Sequence, residues 1–304
     1  MEEAKYIWMN GKFLPWEKAQ VHFLTHGLHY GSAVFEGIRC YEAGECSAVF
    51  RLMDHLKRFH YSSSALNMKI PFSEAELYSV VIELVKRNEL KECYIRPLAY
   101  FGYGQMGLNP VGAKVEVGIA AWPWGAYLGE EGIKHGIVTK ISPWVRPPRH
   151  IMPTAAKVSG SYVNSIMAKV DAIMTGYTEG LLLDINGNVA ECTGENIFIV
   201  KDSVLITPTL ENALEGITRA SIIRIARDQG IKVEERNFPK EVLYNADESF
   251  LTGTAAEITP IREVDGRPIG EGKPGPLTKK LQDIYYDAIH GRVEKYMEWL
   301  DFVK

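Results

Sequence analysis

The sequence predicts an α/β (α+β) protein of two domains, and two observations carry this prediction. Strand-like and helix-like periodicities alternate along 304 residues, a length sufficient for two domains of ordinary size. The run Trp-Pro-Trp-Gly-Ala-Tyr at 122–127 interrupts that alternation with proline and glycine. We therefore expect a small N-terminal α/β domain at 1–120, an interdomain linker at 121–131 and a large C-terminal α/β domain at 132–304.

The first domain is predicted to open with a β-hairpin. Asn10-Gly11 lies between two apolar runs, and this pair favours a type I′ turn because both central residues need positive φ. Further strands are predicted at 94–100 and 116–122. Pro97 has no N–H to donate to a strand ladder, so it indicates an irregular or edge position.

A glycine-rich loop at 102–110 separates these two strands. Its apolar residues Met106 and Leu108 are typical of contact residues, because loops run over the surface and carry binding functions more often than core.

Two helices are predicted before the strand at 94–100. Asp54 is a candidate cap for the first helix, and Arg58 lies off its apolar face, where a solvated arginine is the commoner case. Ser73 and Glu76 have the spacing of a capping box and predict the start of the second helix.

The second domain is predicted to mix strands and helices. A strand is expected at 133–141, followed by a helix that ends at Gly176. Asn186-Gly187 predicts a second hairpin. The chain is expected to finish in an amphipathic helix over 277–302.

Composition excludes several functions. The net charge of −4 and the absence of a basic block argue against nucleic-acid binding. The four cysteines form no C-x-x-C pair and no metal-ligand spacing is present, so no metal site is expected and a reducing compartment is favoured. An acidic start and the lack of a long apolar run predict a soluble, cytoplasmic protein without membrane contact.

The stretch 154–162 places Lys157 among small residues, with Tyr162 five positions later. Small neighbours let a flat ring approach the backbone, and apolar crowding or a second cation would free the amine for attack on a carbonyl. A surface lysine before a helix is the alternative, and for the stretch taken alone it is the commoner case.

Three further features could serve the same chemistry. Glu191 lies on an apolar strand, where a buried carboxylate needs a partner, although an alternating strand facing solvent is the alternative. Two turns, 214–218 and 253–257, end in small residues and a threonine and are possible anion cradles of backbone N–H groups.

A lysine, a carboxylate and a phosphate cradle together are what pyridoxal 5′-phosphate requires. The lysine forms the Schiff base, and the carboxylate keeps the pyridine nitrogen protonated so that the ring accepts electrons from the substrate Cα. The cradle and an arginine hold the phosphate, and Tyr162 is a candidate hydrogen-bond donor to the 3-oxygen of the ring.

Five motifs in order resemble those of the branched-chain amino acid aminotransferases, which belong to fold type IV of the pyridoxal-phosphate enzymes (class IV aminotransferases). The resemblance extends from the first hairpin to the last helix. The motifs are Tyr30-Gly31-x-x-x-Phe35-Glu36-Gly37-Ile38-Arg39, Ala156-Lys157-x-x-Gly160-x-Tyr162-x-Asn164-Ser165, Glu191-x-x-Gly194-Glu195-Asn196-Ile197-Phe198, Leu214-x-Gly216-Ile217-Thr218-Arg219 and Gly253-Thr254-Ala255-Ala256-Glu257-Ile258.

The resemblance implies that the cofactor lies at the interface of the two α/β domains. It implies Lys157 as the catalytic Schiff-base lysine. The implied cofactor-binding residues are Arg58, Lys157, Tyr162, Glu191, Gly194, Leu214, Gly216, Ile217, Thr218 and Thr254. The implied substrate-binding residues are Tyr30, Phe35, Tyr94, Arg96, Met106, Leu108, Trp124, Tyr127, Thr254, Ala255 and Ala256.

The implied activity is transamination between leucine, isoleucine or valine and 2-oxoglutarate, by a ping-pong mechanism through pyridoxal and pyridoxamine phosphate, as in branched-chain amino acid biosynthesis. Arg96, with Tyr94 nearby, would receive the distal carboxylate of glutamate. Met106 and Leu108 would complete the pocket of a neighbouring subunit. A homo-oligomer is therefore implied, at least a dimer, with a hexamer as the larger alternative.

Two departures touch the implied cofactor cradle. Glu215 replaces the proline of many relatives, and Cys192-Thr193 replaces smaller residues, but neither removes a functional group. A D-amino-acid aminotransferase or an aminodeoxychorismate lyase would share Lys157 and Glu191, although the motifs at 35–39 and 94–97 favour the branched-chain interpretation. A non-catalytic protein that binds a phosphate ligand is the alternative from another class.

Overall fold

The computed structural model describes residues 2–125 and 128–304, which pack into two compact units. Unit 1 contains the chain up to Trp124 together with Ala156–Ser161 and Asp287–Lys304. Unit 2 contains Gly125–Ala155 and Tyr162–Tyr286. The predicted boundaries place Ala156–Ser161 and Asp287–Lys304 in the C-terminal domain, whereas both stretches pack in unit 1. As domain boundaries, 1–120, 121–131 and 132–304 stay a prediction.

Unit 1 is an antiparallel sheet with helices, and most of it precedes Trp124. Its first strands are β1 (Tyr6–Met9), β2 (Lys12–Pro15), β3 (Ala33–Phe35), β4 (Ile38–Ala43), β5 (Cys46–Phe50), β6 (Cys93–Phe101) and β7 (Val115–Trp122). Its helices are α1 (His26–Tyr30), α2 (Leu52–Ser64) and α3 (Glu74–Arg87), with short 3₁₀ turns at Trp16–Lys18, Ser159–Ser161 and Glu294–Trp299.

Unit 2 is a mixed sheet with helices. Its strands are β8 (Ile137–Ile141), β9 (Glu179–Leu183), β10 (Val189–Cys192), β11 (Asn196–Lys201), β12 (Val204–Thr207), β13 (Val233–Glu235), β14 (Glu248–Gly253), β15 (Glu257–Val264) and β16 (Arg267–Pro268). Its helices are α4 (Glu130–His135), α5 (Tyr162–Met174), α6 (Ile217–Asp228), α7 (Lys240–Tyr244) and most of α8 (Pro276–Ile289), whose residues from Asp287 onward belong to unit 1. The last strand, β17 (Leu300–Val303), belongs to unit 1.

The sheet of unit 1 has the strand order β17-β5-β4-β6-β7-β1-β2, with β3 pairing β6. The predicted hairpin is confirmed, with positive φ at Asn10 and Gly11. Pro97 lies in a central strand, opposite the break between β3 and β4, where Glu36 N–H donates to its carbonyl. The missing N–H of proline is therefore tolerated at an irregular position, as the sequence indicated.

The two helices of unit 1 that cover its core begin differently. The capping box of Ser73 and Glu76 is confirmed at the start of α3. The prediction of Asp54 as cap of α2 was wrong, because α2 begins two residues earlier. Its first N–H, on Leu52, donates instead to the carboxylate of Asp301, which only the folded chain brings near.

The sheet of unit 2 has the strand order β10-β9-β8-β15-β14-β11-β12-β13, and β16 pairs β15. The second hairpin, at Asn186-Gly187, is confirmed between β9 and β10. The strand predicted at 133–141 was wrong in its first part, because α4 covers those residues and Gly136, at φ 80°, separates it from β8.

Helix α5, which follows the lysine stretch, packs through small residues. A Cβ on Gly180 would come within 2.8 Å of the carbonyl of Ala168, so strand and helix backbones are close. The apolar residues Val163, Ile166 and Val170 are exposed on this helix.

The amphipathic helix predicted over 277–302 was also wrong in its second half. Helix α8 ends at Ile289, and Gly291 has a positive φ that ordinary residues rarely adopt. The chain then continues into β17, which pairs with β5. Within the described ranges, no helix is both long and apolar enough to cross a membrane.

Candidate active site

The backbone of Lys157 is fixed within unit 1 at both of its polar groups. Its N–H donates to Ser62 Oγ at 2.9 Å, and its carbonyl accepts from Phe35 N–H at 3.1 Å. Val158 forms a bridge with Val34 one residue later. The Lys157 side chain then extends over the Phe35 ring, with Nζ 4.7 Å from the ring centroid.

The small residues around Lys157 have a packing reason. Gly160 N–H donates to the carbonyl of Gly31 at 3.0 Å, and a Cβ on Gly31 would lie 2.8 Å from Cα of Gly160. A side chain at Gly31 would therefore force the lysine segment away from the end of α1, and one at Gly160 would be tight against the Gly31 carbonyl. The turn therefore fixes the direction in which the amine extends.

Four predicted substrate residues of unit 1 form one continuous aromatic and cationic wall. The Arg96 guanidinium carbon lies 4.8 Å from the Phe35 ring centroid, and Arg96 Nη2 donates to Tyr94 Oη at 3.0 Å. The Tyr94 ring lies 4.8 Å from that of Trp124. A Cβ on Gly37 would overlap Tyr94 Oη, so glycine is required beneath this wall.

Arg96 keeps hydrogen-bonding capacity at this wall. Its Nε is buried and makes no hydrogen bond to the residues that the structure describes. A guanidinium presents donors in a fixed fork that matches a carboxylate. The arrangement therefore places a guanidinium at the edge of an apolar surface.

Arg58, the predicted phosphate ligand, is held by a buried carboxylate. Its Nε and Nη2 donate to the two oxygens of Glu36 at 2.7 and 2.8 Å, and His55 Nδ1 lies 2.8 Å from Glu36 Oε2. Burial alone would raise the pKa of Glu36, but Arg58 and His55 outweigh it and hold that pKa far below its ordinary value. Burial in turn lowers the pKa of His55. Glu36 therefore stays charged and fixes the orientation of Arg58.

The predicted loop residues of unit 1 lie at its surface. Met106 is 47% exposed and Leu108 is 86% exposed, as expected for residues that contact something beyond their own core. Tyr30 is also exposed, and its hydroxyl accepts a hydrogen bond from Gly107 N–H at 3.3 Å.

In unit 2, Glu191 is buried and paired, which excludes the solvent-facing alternative. Its Oε1 lies 2.7 Å from Arg146 Nε. Its Oε2 accepts from Leu214 N–H at 3.0 Å and from Asn196 Nδ2 at 3.4 Å. The hydrogen bond from Leu214 N–H fixes the Glu191 carboxylate next to 214–218, the first of the two threonine turns.

The first threonine turn leads directly into α6. Gly216 is the N-cap of this helix, and a Cβ there would overlap Asn196 Oδ1, so only glycine fits. The first turn of α6 carries no acidic residue, and Thr218 is buried in it. Such a helix N-terminus suits an anion such as phosphate.

The remaining predicted residues of unit 2 lie in three places. Thr254, Ala255 and Ala256 form the turn between β14 and β15. Gly194 lies in the turn after β10, and Tyr162 is the first residue of α5. Tyr127, a predicted pocket residue, lies outside the described residues.

A second acidic cluster lies in the same unit as Glu191. Glu179 is fully buried, accepts from Thr193 Oγ1 at 2.5 Å and pairs with Lys169. Burial and then the Glu179 carboxylate raise the pKa of Glu195 to about 8. Thr193, one of the departures noted in the sequence, thus hydrogen-bonds a buried carboxylate instead of filling space.

Sequence reasoning missed the residues that hold the predicted ligands in place. Arg146 and Asn196 position Glu191, and His55 supports Glu36. Arg146 lies in a proline-rich loop without periodicity, so nothing local indicated it. Glu36 could have been found, because a carboxylate inside an apolar, glycine-rich run needs a cationic partner.

The fold and these side chains define a transaminase class. The family described as Amino-transferase class IV matches residues 33–264. The chain is 47% identical over 298 residues to a branched-chain-amino-acid aminotransferase of Pseudomonas aeruginosa, covering 98% of this chain and 97% of that one.

Solved structures of a branched-chain amino acid aminotransferase also match this chain. A T.th. branched-chain amino acid aminotransferase with pyridoxamine 5′-phosphate matches with a TM-score of 0.97 and 48% identity, over 100% of both chains. The same enzyme complexed with N-(5′-phosphopyridoxyl)-L-glutamate matches with a TM-score of 0.95 and 46% identity, again over 100% of both chains. The chain belongs to the class IV aminotransferases and, within them, to the branched-chain amino acid aminotransferase family.

Proposed function

We propose that this protein is a pyridoxal-phosphate-dependent aminotransferase that moves the amino group between leucine, isoleucine or valine and 2-oxoglutarate. One observation carries the proposal: Lys157 Nζ and the Arg96 guanidinium both approach the Phe35 ring, at 4.7 and 4.8 Å. An amine, an apolar wall and a guanidinium suited to a carboxylate therefore lie together. This is the set that two substrates of opposite polarity need.

The donor set fits pyridoxal 5′-phosphate. A buried, compensated carboxylate suits a pyridinium nitrogen, and an N-terminus of α6 capped by glycine suits a phosphate. When bound, the cofactor supplies an electron sink for the negative charge that develops at the substrate Cα. Glu191 would hold the proton at the ring nitrogen, while Arg58, Ile217, Thr218 and Thr254 would hold the phosphate.

Side chains and backbone amides of this chain would carry out the other steps. Lys157 would hold the cofactor aldehyde through its amine and then move the proton at the substrate Cα as general acid–base. Tyr162 would donate to the 3-oxygen of the ring. The amides of Thr254, Ala255 and Ala256 would bind the substrate α-carboxylate. Leu214, Gly194 and Gly216 complete the proposed cofactor contacts.

The substrate pocket would combine apolar and polar recognition. Phe35, Tyr30, Trp124 and Tyr127 would contact the branched side chain, and Arg96 with Tyr94 would bind the distal carboxylate of glutamate. Exposed Met106 and Leu108 support a role in the pocket of a neighbouring subunit, so we propose a homo-oligomer, at least a dimer. A cytoplasmic location is proposed with it.

The alternatives within the fold type are less well supported. The relatives above are named branched-chain aminotransferases, not D-amino-acid aminotransferases or aminodeoxychorismate lyases. A non-catalytic phosphate-binding protein would not need a carboxylate-binding arginine beside the reactive amine.

The test of the function uses purified protein loaded with pyridoxal phosphate. We expect a visible absorbance band that L-leucine removes and 2-oxoglutarate restores, in two separable half-reactions. A protein that stays colourless with added cofactor would rule out the enzyme. A response to D-leucine but not to L-leucine would instead favour the D-amino-acid alternative.

Substitution of Arg96 tests dual recognition. Arg96→Ala is expected to weaken the glutamate half-reaction by about 2–5 kcal/mol, the usual cost of truncating one partner of a buried charge pair. Leucine should be little affected, because it contacts the apolar wall. Equal losses for leucine and glutamate, with a lower melting temperature, would make Arg96 a structural residue.

A further inference from the structure

The loop between β6 and β7 is exposed, but its tip is fixed at one residue. The Gly107 carbonyl accepts from His26 Nε2 at 2.7 Å, and Gly107 N–H donates to Tyr30 Oη at 3.3 Å. Both donor and acceptor come from α1. The two peptide groups that join Gly107 to Met106 and Leu108 are therefore each held from the same helix.

His26 is itself rigidly placed. It is only 2% exposed, its Nδ1 lies 2.6 Å from Ser32 Oγ, and its backbone N–H donates to the Gly102 carbonyl at 3.2 Å. A backbone carbonyl can only accept, so the bond to Gly107 requires the proton on Nε2. Nδ1 lies within hydrogen-bond distance of the Ser32 hydroxyl, which can serve as either donor or acceptor. Both ring nitrogens are thus occupied, and the histidine acts as a fixed donor.

We propose that His26 is a positioning residue for substrate binding: through Gly107 it holds Met106 and Leu108 ready to contact the branched side chain of the substrate in the neighbouring subunit's pocket. The inference rests on the substrate role of this loop proposed above. His26 does not itself contact the substrate in this scheme, since its ring nitrogens bind Gly107 and Ser32.

The physical reason is the flexibility of the loop. Gly104, Gly107 and Gly112 all have positive φ, and glycine-rich backbone loses more conformational entropy on ordering than other sequences. If the loop ordered only when substrate bound, that loss would weaken binding. A hydrogen bond that already orders the loop in the free protein spares substrate binding this loss of conformational entropy. The hydrogen bond from His26 to Gly107 is 2.7 Å long and the one from Gly107 N–H to Tyr30 is 3.3 Å long. The bond from His26 is therefore the main restraint on the loop.

The test replaces His26 by leucine, which removes the donor, and by glutamine, whose amide keeps one. His26→Leu should raise the KM for leucine roughly threefold to tenfold, the range that loss of one hydrogen bond corresponds to. The kcat and the visible band of the bound cofactor should stay within about twofold, because the reacting groups are untouched. His26→Gln should recover part of the lost affinity.

A neighbouring histidine provides the matched control. His29 lies on the same helix, and its Nε2 lies 2.9 Å from the Phe23 carbonyl instead of the loop. His29→Leu should leave the KM for leucine unchanged. A merely structural role of α1 would raise the KM in both variants, and that outcome would overturn the proposal.

A mutant cycle separates the proposal from the function on which it rests. Met106→Ala/Leu108→Ala should raise the KM for leucine, and adding His26→Leu should raise it little further, since the two changes act through one loop. If His26→Leu raised the KM for leucine by the same factor in Met106→Ala/Leu108→Ala as in the parent, the proposed role of His26 would be overturned. An unchanged KM in Met106→Ala/Leu108→Ala would instead refute the substrate role of the loop. If His26→Leu does not fold, His26→Phe, which also removes the donor but keeps a flat ring, replaces it in the same cycle.

Discussion

Lys157→Ala should abolish transamination while both units remain folded. The side chain supplies the only proposed amine for the cofactor aldehyde and the general acid–base at the substrate Cα. Loss of one general acid–base alone costs about 10²–10⁴-fold in rate, so the combined loss should exceed that range. The fold should survive because the contacts with Ser62 and Phe35 use the backbone of Lys157, which alanine keeps.

The measurements for this variant are turnover, melting temperature and the visible band of the bound cofactor. Turnover and the band should be lost, with the melting temperature close to that of the parent. Lys91→Ala is the matched control, since Lys91 is an exposed lysine of the same unit that lies 3.7 Å from Glu42. Turnover within tenfold of the parent in Lys157→Ala would end the proposed role of this lysine.

The local elements of the fold could be predicted where a short pattern decides the conformation. The Asn10-Gly11 hairpin and the Ser73 capping box depend on residues within a few positions of each other, and both are confirmed. The Asp54 cap failed because its competitor, Asp301, lies at the other end of the chain. Sequence spacing carries no information about such a partner.

The candidate site also divides into residues that lie in short motifs and residues that only the folded chain brings near them. Residues inside motifs, such as Lys157 and Glu191, could be named from the sequence as candidates, together with the chemical roles proposed for them. The side chains that orient them could not, because Arg146 lies 45 positions before Glu191 in a loop without periodicity. Motifs thus indicate the groups proposed to act on the cofactor and substrate, whereas the folded chain is needed to identify the side chains that hold those groups.

The ion pair of Arg146 and Glu191 makes Glu191→Gln an informative variant. An amide cannot hold the proton at the pyridine nitrogen, so the ring becomes a poorer electron sink. We expect the cofactor to stay bound and the single-turnover rate with leucine to fall by at least about 10²-fold, the lower end of what one proton-holding group contributes.

Loss of the carboxylate has a second consequence that must be separated from the first. Arg146 is buried, so Glu191→Gln leaves its charge uncompensated, and breaking a buried pair in this way costs about 3–5 kcal/mol of unfolding free energy. Glu191→Gln/Arg146→Gln removes both charges and should recover part of the melting temperature. The rate should not recover, because the proton at the ring nitrogen still has no acceptor. A double variant that regains both stability and rate would show that Glu191 acts only through packing, and an unchanged rate in Glu191→Gln would mean that this carboxylate does not serve the cofactor.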